Sequence, residues 1–204
     1  SNMLKLTTTS WLLDSFTSYL FLILIIVFQP EFRRVLAALG EPRIRGNNKS
    51  TEMASYLDEI IKAVIVLANR QIGALIVIER NNKLDEYIQA GTKLDAVVSR
   101  DILISIFIPY SPLHDGAVIV SNNKILYAAS ILPLTKIENL DRRFGTRHRA
   151  AIGITEETDA VCIVVSEERG SISISRGGKI TTDLDIDTIR DTLNLLIIEE
   201  ADKV

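Results

Sequence analysis

The sequence predicts an α/β fold: a mixed β-sheet flanked by helices, preceded by an apolar N-terminal helix that crosses a membrane. Three observations carry this. Strand-like and helix-like stretches intermix without a regular strand–helix–strand repeat, so the sheet is expected to hold parallel and antiparallel neighbours together. Short runs such as GALIVIE, GAVIV and DAVCIVVS are apolar almost throughout, as in strands covered on both faces. The hydrophobic fraction is 47%, and its excess concentrates in WLLDSFTSYLFLILIIVF, residues 11–28.

That first run holds a single charge, Asp14. At about 1.5 Å per residue it reaches roughly 27 Å, close to the thickness of a hydrocarbon core. A secretory leader would carry its basic residues ahead of the apolar run. Here Lys5 stands alone before it, and Arg33, Arg34, Arg43, Arg45 and Lys49 follow. By the positive-inside rule, everything after the span is expected in the cytoplasm. A buried core helix is the competing reading, kept open by Ser15, Thr17 and Ser18. Ser1-Asn2 ahead of Met3 reads as the scar of a cleaved tag. The expected organisation is therefore a scar at 1–2, a transmembrane helix at 10–28, a juxtamembrane helix and linker at 29–46, and a globular domain at 47–204.

Within that domain, RIRGNNKS reads as polar linker. Leu57, Ile60, Ile61, Val64 and Leu67 then recur on one face of a helix expected over 51–69. GALIVIE (73–79) is a buried strand. NNKLDEYIQAG reads as a turn, a short helix and a glycine stop; TKLDAVVS opens another strand, and SRDILISIFIP is a short helix ended by Pro109. GAVIV and KILYAASILPL are joined by SNNK, a hairpin signal, and GSISISRGGKIT alternates around a Gly-Gly turn. DIDTIRDTLNLLIIEE closes the chain as an amphipathic helix. Cys162, the only cysteine, sits in the DAVCIVVS strand as a small core residue of a reducing compartment.

Several chemistries are excluded. No phosphate-loop, dinucleotide or nucleophile-elbow fingerprint occurs. One Cys and two His cannot build a structural zinc site. A net charge of −3 offers no footprint for nucleic acid. Three polar islands remain. In His114-Asp115-Gly116-Ala117 the carboxylate can hold a divalent cation or take a proton from a hydroxyl. The imidazole can ligate a metal, and glycine permits close approach of a ligand; an ordinary polar turn is the alternative. In DRRFGTRHRAA, Thr146 is expected to cap a helix whose free N–H groups, with Arg147 and Arg149, suit a polyphosphate. The alternative is a solvated turn paired with Glu156, Glu157 and Asp159. In VVSEERG, Glu167 and Glu168 end a strand as a hairpin rim or as a metal or ribose contact. Together the islands suggest phosphoryl or nucleotidyl transfer, in which positioning and charge neutralisation do most of the catalysis.

LHDGAVIV followed by GTRHRAAIGITEETDAVCIVVSEERGSISI closely resembles the diadenylate cyclase domain, and GALIVIER fits that family's early strand. The apolar segment running into FQPEFRRVLAALG is similar to the last membrane helix and junction of the membrane-anchored, CdaA-type branch of Gram-positive bacteria. That branch normally has three such helices, so a multi-pass full protein at the cell membrane is expected, single-pass in this chain. The resemblance implies condensation of two ATP into cyclic di-AMP and two pyrophosphates. Two domains would face each other in a homodimer or higher oligomer, each 3′-hydroxyl attacking the other ATP's α-phosphate.

Carried over residue by residue, it places Asp115 at the hydroxyl and Gly116, Ala117 and Leu132 along the nucleotide. Thr146, Arg147, His148 and Arg149 fall at the phosphates, with Arg147, His148 and Arg149 beside Asp115 as the catalytic set. Ser166, Glu167 and Glu168 fall at the nucleotide. His114 with Asp115 would ligate Mn²⁺ or Mg²⁺, Co²⁺ being a further candidate. Ile131-Leu132-Pro133-Leu134 departs from the family's Tyr-Leu-Pro-Leu, so an aliphatic contact replaces an aromatic stack on adenine. A regulatory protein of unknown identity is a further expected partner; nucleic acid is not. The rival is a membrane-tethered adenine-nucleotide sensor without turnover.

Overall fold

The computed structural model describes residues 46–138 and 140–199, together with Tyr19. The expected tag scar, membrane helix (Tyr19 apart) and juxtamembrane segment up to residue 45 lie outside the described residues. Among the described residues no helix is long and apolar enough to cross a membrane.

The elements run α1 (Gly46–Asn69), β1 (Ala74–Ile78), β2 (Ala90–Val97), α2 (Arg100–Phe107), β3 (Ala117–Ser121), β4 (Lys124–Ile131), α3 (Thr146–Glu157), β5 (Val161–Val165), β6 (Ile172–Arg176), β7 (Lys179–Thr181) and α4 (Ile186–Leu193). A π-helical turn over Asn194–Glu199 follows. The seven strands form one mixed sheet in the order β2-β4-β3-β1-β5-β6-β7. β1 lies parallel to β3, with Ile76 beside Val118, and antiparallel to β5, with Ile76 beside Ile163.

All five residues of each of β1, β3 and β5 are buried, because both faces of the sheet centre are covered. The period-2 alternation of a strand sorts them. Ala74, Ile76, Ile78, Val118, Val120 and Ile163 pack with Leu57, Ile60, Val64 and Leu67 of α1, Leu103 and Phe107 of α2, and Ile189 and Leu193 of α4. Leu75, Val77, Ala117, Ile119, Cys162 and Val164 pack on the opposite face with Ala150, Ala151 and Ile154 of α3. Each large aliphatic side chain so enclosed contributes about 1.5–3 kcal/mol.

Four local expectations are corrected. Gly46–Ser50, read as linker, is the first stretch of α1. Residues 81–89 form turns, not a helix, and Gly91 lies inside β2 instead of stopping a helix. Carboxylates from outside the stretch pin these turns. Asp159 accepts from Asn81 N–H (3.1 Å) and Asn82 N–H (3.0 Å), and Glu79 accepts from Leu84 N–H (3.0 Å). β4 stops at Ile131, and the C-terminal helix loses its regular pitch after Leu193.

The hairpins are as expected. Asn122 and Asn123 (φ 48° and 62°) turn β3 into β4, and Gly177 and Gly178 (54° and 74°) turn β6 into β7. Both pairs have the left-handed conformation a two-residue hairpin demands.

Candidate active site

Strand direction gathers the polar islands at one end of the sheet. β1 and β3 begin there, β4 and β5 end there, and the pairs Ala74–Val165 and Ala117–Ser130 fix the register. Gly73, the His114–Gly116 turn, Leu132 and Ser166–Glu168 therefore emerge along one edge, and α3 starts beside them.

The start of α3 differs from the sequence reading. Gly145, extended at φ −73° and ψ −173°, is the N-cap, and Thr146 is the first helical residue. No side chain caps this end, and the first helical bond is Arg149 N–H to the Gly145 carbonyl at 3.1 Å. The amides of Thr146, Arg147 and His148 are thus left outside the helical ladder, with the positive end of the helix dipole behind them. Such an end is built to receive an anion.

Arg147 is the hub. Its Nη1 pairs with Glu167 Oε2 at 2.9 Å and its Nη2 donates to the His114 carbonyl at 3.3 Å. Its Nε–H is buried without a partner among the described residues. A Cβ at Gly73 would meet Arg147 Nη1 at 2.7 Å and Glu167 Oε2 at 2.8 Å. Gly145–His148 on one side and Val165–Glu168 on the other line a cleft. Arg149 enters no ion pair among the described residues and is half-buried. Two of the acidic partners expected for this turn are engaged elsewhere, Glu156 accepting from Thr135 and Asp159 from Asn81 and Asn82, while within the turn Arg143 pairs with Asp141 at 2.7 Å.

His148 is 7% exposed and stacks on Phe144, with ring centroids 5.2 Å apart. Burial lowers its pKa, and the charge of Glu168 offsets part of that.

His114 Nδ1 lies 2.6 Å from the Ser111 carbonyl, which can only accept, so Nδ1 is the donor there and the neutral ring in this tautomer offers its lone pair at Nε2. Asp115 beside it is exposed, with no hydrogen bond or ion pair among the described residues. An imidazole held in that tautomer by a backbone carbonyl, next to an open carboxylate, is a donor set fit for Mn²⁺ or Mg²⁺. No group of three or more His, Cys, Asp and Glu side chains converges among the described residues. Substrate oxygens and water would complete such a shell, as Mg²⁺ sites commonly require.

Gly116 has φ 125°, and a Cβ there would meet the β4 backbone, Ala129 C at 2.7 Å and Ser130 N at 2.8 Å. Opposite it β4 bulges. Ala117 pairs with Ser130 but Ile119 with Tyr127, and Ala129 has φ 51°. Bulges re-aim side chains beside active sites. Ala117 is fully enclosed, and Leu132, at 5% exposure, belongs to the α3-side core, while its neighbour Ile131 is 53% exposed.

The family model described as DAC, DisA bacterial checkpoint controller nucleotide-binding, matches residues 61–180. The chain belongs to the DAC family. This DAC chain is 43% identical over 196 residues to "Cyclic di-AMP synthase CdaA" of Bacillus subtilis, a match covering 95% of this chain and 72% of that one. It is 46% identical over 187 residues to "Diadenylate cyclase" of Listeria monocytogenes, covering 90% and 68%. Among solved structures, a double mutant of DacA from Staphylococcus aureus superposes with a TM-score of 0.68 at 42% identity, covering 71% of this chain and 96% of that one. A "hypothetical membrane spanning protein" from Bacillus cereus gives 0.62 at 42% identity, covering 79% and 80%. The DAC edge has members that the sequence reading passed over. Gly73, read only as the first residue of a buried strand, lies against Arg147 and Glu167, both distant in sequence, whereas Ser111 and Phe144 act on His114 and His148, three and four residues further on.

Proposed function

We propose that this chain is a diadenylate cyclase, condensing two ATP into cyclic di-AMP with release of two pyrophosphates. The observation that carries the reading is the meeting, at one sheet edge, of an uncapped helix start, the Arg147 hub and the His114–Asp115 turn. The amides of Thr146, Arg147 and His148, with Arg149, receive the triphosphate. Asp115 takes the proton of a 3′-hydroxyl as its oxygen bonds to the α-phosphorus of the other ATP. The bond from that phosphorus to the bridging oxygen breaks, and pyrophosphate leaves with the electron pair. His114 and Asp115 would hold Mn²⁺ or Mg²⁺, whose bound charge offsets that of the phosphates. Gly116 and Ala117 keep the backbone close to the nucleotide, and Ser166–Glu168 face it across the cleft. A single edge of this kind has room for one such constellation, so two copies meet face to face and each supplies one ATP.

The segment at 10–28 crosses the membrane and leaves the domain in the cytoplasm. The asymmetry of its basic flanks and the printed name of the Bacillus cereus relative support this.

The test is incubation with ATP and Mn²⁺, then chromatographic and mass analysis of the nucleotides. Cyclic di-AMP from the wild type, and none from Asp115→Asn, is the expected result. ATP left intact with Mg²⁺, Mn²⁺ and Co²⁺ at high protein concentration would replace this reading with that of a nucleotide sensor.

A further inference from the structure

We infer that Gly73 is a positioning residue of the active edge, its missing side chain being the seat on which the Arg147–Glu167 pair rests. The inference builds on the diadenylate cyclase reading and assigns a role to a residue outside the three polar islands.

Gly73 is not glycine for the sake of its backbone. The left-handed glycines among the described residues are Gly116, Gly170, Gly177 and Gly178, and Gly73 is not one of them. What the position requires is space. A Cβ would lie 2.7 Å from Arg147 Nη1, 2.8 Å from Glu167 Oε2 and 3.1 Å from Glu167 Cβ. The chain arrives there by a tight stop to α1: Gln71 is left-handed (φ 53°), and Ile72 N–H donates to the Leu67 carbonyl at 2.9 Å. This closure sets residue 73 just ahead of β1 and under the pair.

The pair in turn orders the catalytic turn. Arg147 Nη1 holds Glu167 and Nη2 holds the carbonyl of His114, the residue before Asp115. One guanidinium thus ties the start of α3, the end of β5 and the turn before β3. The two nearest atoms, Arg147 Nη1 and Glu167 Oε2, are ends of flexible side chains and move at little cost to the fold, while Glu167 Cβ need give by only a few tenths of an ångström. Their movement takes Nη2 off the His114 carbonyl and frees the turn. The damage belongs to geometry at the reacting atoms, where misplacement by about 1 Å costs on the order of a hundredfold in rate.

The experiment is a double-mutant cycle on cyclic di-AMP synthesis with Gly73→Ala and Glu167→Ala. Gly73→Ala is expected to keep its cooperative melting transition and to lose kcat on the order of a hundredfold. In the Glu167→Ala background Arg147 can shift into the vacated space, and the same substitution costs within about threefold. A second readout needs no turnover: in ¹⁵N-arginine-labelled protein, the buried Arg147 Nε–H gives a slowly exchanging resonance that Gly73→Ala abolishes. Equal costs in both backgrounds, an unchanged resonance, or loss of the melting transition would each overturn the inference. If the wild type makes no cyclic di-AMP, the proposed reaction falls, and the resonance still decides whether Gly73 seats the pair.

Discussion

At the scale of single residues, the site separates groups that touch substrate from groups that hold them. Asp115 is open and has no partner among the described residues, and Asp115→Asn keeps the shape while removing the proton acceptor. Turnover should fall by about 10²–10⁴-fold with ATP affinity, read by calorimetry, nearly unchanged. His148 belongs to the supporting group. Above the ordinary imidazole value near 6.5, folded and unfolded chains both hold it neutral. As pH drops below that value the unfolded chain takes up the proton first, because burial lowers the folded pKa. Stability is therefore lost progressively between the unfolded value and the lower folded one. The urea midpoint should decline between about pH 7 and pH 5.5, and His148→Phe, which preserves the stack on Phe144, should decline less. Ala129 stores strain of another kind, an alanine held at φ 51° in a strand bulge. Ala129→Gly removes the steric penalty of about 1–2 kcal/mol against a smaller entropic cost. The melting temperature should rise in calorimetry.

At the scale of elements, α3 is pinned to the segment after β4. Thr135 N–H donates to the Arg149 carbonyl at 3.1 Å, and Thr135 Oγ1 donates to Glu156 at 2.7 Å. Gly153 permits that approach, since a Cβ there would strike the Pro133 carbonyl and lie 2.7 Å from Thr135 N. These are backbone atoms, unlike the mobile ends beside Gly73. Gly153→Ala should cost about 1–3 kcal/mol by chemical denaturation. The same contrast explains what a sequence shows and what it hides. Hairpins at Asn122-Asn123 and Gly177-Gly178 are legible because the turn residues themselves hold the unusual angles. The stretch at 81–89 misleads: Leu84, Tyr87 and Ile88 have helical spacing, yet the segment runs as turns pinned by Asp159 and Glu79. Thr146 misleads similarly, being a good capping residue one place too late. The candidate site was legible as three islands, through residue types. Their convergence was not, because it depends on β1 pairing with both β3 and β5, and nothing local encodes Gly73 beneath Arg147.

At the scale of the whole molecule, a single edge bearing one nucleotide site makes the proposed reaction depend on encounter. Specific activity should fall on dilution, and a constant value down to concentrations at which sedimentation shows only monomer would refute the face-to-face arrangement. The two-sided core bears on how that encounter can be watched. Cys162 lies on β5, beside the central strand β1, fully enclosed, its thiol pushed by burial far from ionisation. A thiol that neither ionises nor meets solvent ignores maleimides and methanethiosulfonates. With no other cysteine in the chain, a single Cys placed at Tyr110, 97% exposed, becomes the sole reactive handle. Spin labels or fluorophores there would report the distance between two copies as ATP is added, with the unmodified protein as its own blank.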